Sequence, residues 1–213
     1  MNGAGSIFTG AGWPALFLLG AYHGINPGMG WLFAVALGMQ ERRRAAVAWS
    51  LVPITVGHAL AIGVAIAVAV ALGMAVSLGH LRWIVAAALL AFGGYRFMRH
   101  RHPKGGGMRV GFGDLTLWSF LMASAHGAGL MVLPILFGMS AGEHAAHLAG
   151  IQSLSSASLA VGIHTAGYLV VTALVAAIIY EKVGLAVLRK AWINMDLIWA
   201  GALVFTGLLT LMV

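Results

Sequence analysis

Long stretches without a single charged residue dominate this chain and decide which solvent it can fold in. No Asp, Glu, Lys or Arg occurs in residues 1–40, 45–81 or 144–180. A soluble domain carries about 25% charged residues, whereas only 8% of these 213 residues are charged and 61% are hydrophobic. Such a chain cannot cover a water-facing surface, and in lipid the backbone must satisfy its own polar groups within helices. The sequence therefore predicts an all-α integral membrane protein.

The apolar stretches divide into six candidate membrane spans. A spanning helix needs about 20 mostly apolar residues, and charged or glycine-rich turns separate the segments from one another. The predicted spans are about Trp13–Met39, Ala45–Leu72, Leu81–Met98, Leu115–Gly138, Leu154–Ile179 and Ala191–Val213. They account for nearly the whole chain, so we expect one transmembrane domain covering residues 1–213.

The basic residues are distributed unevenly between the two sides of this arrangement. Cytoplasmic loops of membrane proteins carry an excess of Lys and Arg. If the N-terminus is outside, eleven of the twelve basic residues fall in the three inside loops and only Arg82 falls outside. The pattern predicts a multi-pass protein of the cell inner (plasma) membrane with both termini outside. It also assigns the net charge of +7 to the cytoplasmic face, and no nucleic-acid partner is expected.

Helix-breaking residues crowd the centre of the first span, and part of its sequence recurs in the fourth. Gly24, Asn26, Pro27, Gly28 and Gly30 predict a broken helix, of the kind that lines a cavity at membrane depth. Residues 21–24 resemble residues 124–127, and the second and fifth spans each carry a central histidine. We expect a 3+3 inverted repeat, comprising residues 1–104 and 112–213, with broken first and fourth helices. Such repeats place the binding site at the midplane.

Four histidines lie near the centres of four spans. They are His23, His58, His126 and His164. Ionisable groups at membrane depth are rare and usually face the bundle interior, and imidazole suits zinc, copper, iron and nickel. We therefore expect the four to bind a divalent transition metal, one of Ni, Co, Zn, Fe or Cu, with protons competing for the ring nitrogens. The alternative is that each only donates a hydrogen bond to a neighbouring helix.

Several further residues are candidates for accessory roles. Near the site these are Asn26, Met29, Met131 and Asp196, although packing explains the methionines and an ion pair at the inner surface explains the aspartate equally well. Glu143, His144 and His147 lie in the predicted external loop and could capture metal there. Asp114 stands where a helix N-cap is expected.

These residues and their order resemble the LysE superfamily of six-helix membrane proteins. Its NicO-type nickel–cobalt permeases carry His-x-x-Asp-x-Asp-His in an early helix, and in that register this chain has His23 at the first position. Asn26, Gly28 and Met29 stand where the pattern has Asp, Asp and His. The transmembrane reductant carriers of the CcdA/DsbD type are similar in architecture, but this chain has no cysteine for their thiol chemistry. The resemblance implies a membrane transporter with its metal ligands in the first helix.

Three functions remain open from the sequence, and none of them is enzymatic. The first is a transition-metal transporter, with the lipid bilayer and the metal ion as its partners. The second is an electron-transfer protein in which pairs of histidines ligate haem b, and the third is a LysE-like exporter of a small solute whose histidines move protons. The identity of the metal, the direction of transport, the energy coupling and the formation of a homo-oligomer also stay open.

Overall fold

The computed structural model describes residues 3–75, 78–98, 111–141, 154–183 and 195–212. These ranges are helical apart from short turns and contain no strand, which confirms the predicted all-α class. Eight α-helices are described: α1 (Gly3–Ile25), α2 (Trp31–Glu41), α3 (Arg44–Ala75), α4 (Leu78–Met98), α5 (Phe112–Ala125), α6 (Ala128–Ala141), α7 (Leu154–Ile178) and α8 (Met195–Met212). A 3-10 turn, Pro27–Met29, joins α1 to α2, and a π-helical turn, Ile179–Val183, extends α7.

Two of these helices are long and apolar enough to cross a membrane. The qualifying segments are Arg44–Leu72 and Ser155–Lys182, and the bent pair α5–α6 makes a third if it counts as one span. Along α3 a stripe of exposed aliphatic side chains recurs at every fourth residue: Val52, Val56, Leu60, Val64, Val68 and Leu72. Water does not tolerate so continuous an apolar surface, whereas lipid does. The chain is therefore a helical protein with surfaces suited to a membrane.

Three helix pairs form the most extensive contacts of the bundle: α1 with α7, α3 with α5, and α4 with α8. Each pair approaches closely at a glycine. A Cβ added at Gly20 would overlap the His164 carbonyl, one at Gly57 would overlap the Thr116 carbonyl, and one at Gly93 would press on Val204. In lipid, small residues let helix backbones meet in this way.

The chain is interrupted between α1 and α2, as the sequence predicts, and the interruption has its own hydrogen bonds. The Asn26 side chain accepts from the Gly28 amide at 2.8 Å, and the Trp31 indole donates to the Ile25 carbonyl at 3.0 Å. Gly30 has a φ of 132°, which side-chain-bearing residues rarely adopt. Because these bonds satisfy backbone groups that a helix would otherwise pair, the break is a defined turn.

A second interruption separates α5 from α6 and bends the pair by 57°. His126 ends α5, and its amide donates to the Met122 carbonyl at 2.9 Å. Gly127 follows with a φ of 71°. The predicted break of the fourth apolar segment is therefore confirmed, and it falls directly beside a candidate histidine.

Asp114 caps its helix differently from the expected N-cap. It is the third residue of α5, and its carboxylate accepts from the Gly111 amide at 3.0 Å. The residue thus reaches back to an unpaired amide ahead of the helix, as an acidic residue in a first turn commonly does.

Candidate functional site

The four predicted histidines are all buried inside the bundle. His23 lies in the last turn of α1, His58 in the middle of α3, His126 at the end of α5 and His164 in the middle of α7. The exposed fraction is 0% for His23, His58 and His164 and 3% for His126. A fully buried histidine is uncommon, and these four stand on four different helices of an otherwise apolar core.

Three of these rings come together at one place. The His23 ring centroid is 5.0 Å from that of His164 and 5.8 Å from that of His58. The rings of His58 and His164 are 5.5 Å apart and nearly parallel, with 7° between their planes. We call these three residues the histidine cluster. His126 lies beside Gly28, in the turn that follows α1, where its Cε1 atom would be 3.8 Å from a Cβ added at that glycine.

Hydrogen bonds to the backbone orient two of the histidines in the same way. The Nδ1 atom of His23 lies 2.7 Å from the Leu19 carbonyl, and that of His126 lies 2.7 Å from the Met122 carbonyl. In both rings Nδ1 must carry the proton, since a carbonyl only accepts, which leaves the Nε2 lone pair as an acceptor. Metal-binding histidines commonly show this arrangement.

His58 is held by stacking instead of by hydrogen bonds. Its ring lies 3.8 Å from the ring of Tyr168, with 6° between the planes. Neither of its nitrogens has a hydrogen-bond partner within the described ranges. Leaving a buried polar group unpaired lowers the free energy of unfolding by about 1–3 kcal/mol. His58 therefore carries a cost in stability that an aliphatic side chain at the same position would not.

Tyr168 is a site residue that sequence reasoning missed. It is fully buried, and its hydroxyl donates to the Met29 carbonyl in the turn between α1 and α2. Tyr168 therefore connects the broken helix to His58. The signal for it was present in the sequence, because it stands four residues after His164 and so on the same face of α7.

Met122 is a second residue that sequence reasoning missed. A Cβ added at Gly28 would lie 3.3 Å from the Asn26 side-chain oxygen, 3.4 Å from the Met122 methyl and 3.8 Å from the His126 Cε1 atom. An amide, a thioether and an imidazole thus surround Gly28, next to the histidine cluster. We call these three side chains the Gly28 group.

The remaining predicted residues have more ordinary surroundings or lie outside the description. Asn26 uses its side-chain oxygen to close the turn at Gly28. Met29 and Met131 are 1% and 2% exposed and belong to the hydrophobic core, consistent with packing. Asp196 lies in α8, but its side chain is not among those described. Glu143, His144 and His147 fall outside the described residues.

The three rings of the histidine cluster are not oriented to coordinate one metal ion in this structure. Among the side chains that the structure describes, no three His, Asp or Glu residues are placed to hold one metal ion. Two imidazoles that share an ion at a bond length of about 2 Å have ring centres about 5 Å apart, so the spacing in the cluster is suitable but the ring orientations are not. The near-parallel rings of His58 and His164 would have to turn to direct lone pairs at a common point.

Comparisons with protein-family models, with curated proteins and with solved structures find no match to this chain. The grounds for assigning a function are therefore the fold, the geometry of the cluster and the resemblance drawn from the sequence.

Proposed function

We propose that this protein is a multi-pass membrane transporter for transition-metal cations, with the ion passing through the histidine cluster. The observation that carries the proposal is the convergence of His23, His58 and His164, from three different helices, at 0% exposure and 5.0–5.8 Å ring spacing. Imidazole nitrogen is a good ligand for late first-row metals. The resemblance to nickel–cobalt permeases of the LysE superfamily agrees with this function.

The energetics of the cluster favour a ligand over a purely structural role. Buried polar groups are normally hydrogen-bonded, yet His58 has two nitrogens with no such partner in the described part of the chain. An ion bound to the unprotonated one of these nitrogens would offset part of the desolvation that the ring has undergone. A structural histidine would instead direct a nitrogen at a carbonyl, as His23 does with Nδ1.

The incomplete ring orientation is compatible with transport. An ion in transit must bind well enough to enter and weakly enough to leave. The His58 ring has no hydrogen bond to the residues described and is positioned by its stack on Tyr168, so a small turn toward an arriving ion and back again breaks no hydrogen bond. The His23 ring, fixed by the Leu19 carbonyl, would supply the constant ligand.

The helix pairs support the six-span inverted repeat as part of the proposal. An exchange of the two repeats maps α1–α2 onto α5–α6, α3 onto α7, and α4 onto α8. The contact of α1 with α7 then becomes the contact of α5 with α3, and the α4–α8 contact maps onto itself, as the observed pairs do. The matching bonds of His23 and His126 follow the same relation. Such repeats allow alternating access around a midplane site.

Haem is a weaker candidate for the same histidines. A porphyrin between two imidazoles needs an open slot between helices, whereas α1 and α7 meet backbone to backbone at Gly20 and at Gly167. His58 also stacks on Tyr168, which occupies one face of its ring. These contacts favour a bare ion over a large planar cofactor.

Purified protein in lipid nanodiscs is expected to bind about one equivalent of a transition metal. Replacing His23, His58 or His164 with alanine should weaken binding by about 10–100-fold, because each substitution removes one imidazole from the set of donors around the ion. Titration calorimetry and elemental analysis after desalting measure both quantities. His80→Ala, at an exposed position near the start of α4, is the matched control and should bind as the wild type does.

The same titration has a pH dependence with a defined sign. Protonated imidazole cannot ligate, so metal binding should weaken as the pH falls and protons compete with the ion for the ring nitrogens. If the wild type binds no metal at neutral pH, or the three alanine variants bind as tightly as the wild type, the transport proposal is wrong.

Reporter fusions test the proposed membrane topology. With six spans and both termini outside, a reporter at Gly106 should be cytoplasmic and one at Gly142 external, because one span separates the two loops. Alkaline phosphatase and green fluorescent protein fusions report opposite sides independently. Activity on the same side for both positions would rule out the six-span arrangement.

A further inference from the structure

The donors near the site that the structure describes are all uncharged. The histidine cluster supplies imidazoles, and the Gly28 group adds an amide, a thioether and a fourth imidazole. The acidic side chains that the structure describes are Glu41, Asp114 and Glu181, and each lies at or near a helix end. Glu181 is 17 residues from His164 along the chain, or about 25 Å at the helical rise. None of these carboxylates can contact an ion in the cluster.

A neutral site in a membrane discriminates strongly by ionic charge. The free energy of transferring an ion from water to a medium of low dielectric constant grows with the square of its charge, so a divalent ion incurs about four times the penalty of a monovalent ion of equal size. Carboxylate ligands are the usual means of offsetting a second charge, and the described part of this site has none.

The chemical softness of the donor atoms also favours a monovalent ion. Thioether sulfur and imidazole nitrogen favour copper(I), whereas magnesium, calcium and manganese favour carboxylate and carbonyl oxygen. The Met122 thioether methyl and the His126 Cε1 atom both lie against Gly28. Two or three donors satisfy a singly charged d10 ion, so it does not need the four-ligand set that zinc requires.

From these three observations we infer that the cargo is a singly charged soft metal ion of the copper(I) class, taken up by the histidine cluster together with Met122 and His126. The inference rests on the proposed transport function and specifies its substrate. It also accounts for the geometry of the cluster, because the close pair His23 and His164, at 5.0 Å, provides two imidazoles without a complete tetrahedral set.

Silver(I) is a redox-stable probe of this class, and zinc(II) and nickel(II) are the divalent probes. Full-length protein in nanodiscs, in chloride-free buffer, is expected to bind silver(I) at least about 100-fold more tightly than either divalent ion. Copper(I) kept reduced with ascorbate, in competition with a chromogenic chelator, should give the same order. Each ion is added alone and the bound fraction is measured after desalting.

Met122→Leu isolates the role of the thioether, because leucine nearly conserves the volume. It should weaken silver(I) binding by about 10-fold or more and leave the melting temperature unchanged. Met39→Leu, at a methionine 43% exposed on α2, is the matched control and should bind silver(I) as the wild type does. Wild-type affinity in Met122→Leu would remove Met122 from the site.

The outcomes separate this inference from the function on which it rests. If zinc(II) or nickel(II) binds as tightly as silver(I), and does so through the cluster histidines, the protein is a metal transporter of the proposed kind but the monovalent assignment is overturned. If none of the four ions binds, both proposals fall together.

Discussion

Gly167→Ala is expected to destabilise the protein strongly although it adds a single methyl group. A Cβ at Gly167 would overlap the Phe17 carbonyl of α1, and a backbone carbonyl cannot move aside as a flexible side chain can. Overpacking of this kind costs about 1–3 kcal/mol and occasionally more. The helices must separate, which would also move His23 away from His164. We expect a lower melting temperature in detergent and weaker metal binding from the same variant.

Gly162→Ala provides the matched control on the same helix. It lies five residues before Gly167 on α7, and no atom of another helix in the described part of the chain stands within 4 Å of the Cβ that the substitution adds. Alanine favours a helix over glycine by about 1 kcal/mol, so this variant should be as stable as the wild type or slightly more stable. Equal melting temperatures for the two variants would mean that α1 and α7 do not meet at Gly167.

The sequence predicts which residues are buried in this protein better than it predicts which of them touch. His23, His58 and His164 interrupt long apolar segments, and a polar group at that depth has to face the interior. Depth along a helix does not give rotation about the helix axis. The arrangement of the three rings depends on the close α1–α7 approach at Gly20, which brings two backbones together.

Two signals in the sequence point to contacts that the composition alone does not reveal. Gly20 and Gly24 are four residues apart, a spacing that lets membrane helices approach closely, and both face α7. Tyr168 and Met122 each lie four residues from a candidate histidine. Glycine, tyrosine and methionine are common in membrane helices, so the spacing acquires its meaning only when the partner helix is known.

The number of membrane spans depends on apolar segments that are short or broken helices. Six spans remain a prediction, whereas two helices, or three with the bent pair, have the length and hydropathy of a span. His80–Tyr95 and Ala200–Leu211 are apolar but shorter. The first predicted span is divided at Asn26 into α1, whose 23 residues begin at Gly3 instead of the predicted Trp13, and α2, whose 11 residues are too few to cross alone.

Tyr168 offers the sharpest test of how the broken helix and the site are connected. Tyr168→Phe keeps the ring that stacks on His58 but leaves the buried Met29 carbonyl without the donor that Tyr168 supplies. An unsatisfied buried carbonyl costs about 1–3 kcal/mol, so the melting temperature should fall. Metal binding should change little, because the orientation of the His58 ring is retained.

Tyr168→Leu removes both contacts and is expected to have the larger effect. Without the stack the His58 ring is no longer fixed, so metal binding should weaken together with stability. The ring protons of His58, followed by NMR in histidine-labelled protein, should lose the shielding of the tyrosine ring in the leucine variant and keep it in the phenylalanine variant. Tyr95→Phe, at a tyrosine 50% exposed on α4, should leave metal binding and the His58 ring-proton spectrum unchanged. If Tyr168→Leu binds metal as the wild type does, Tyr168 only supports the turn, and the cluster does not depend on its ring.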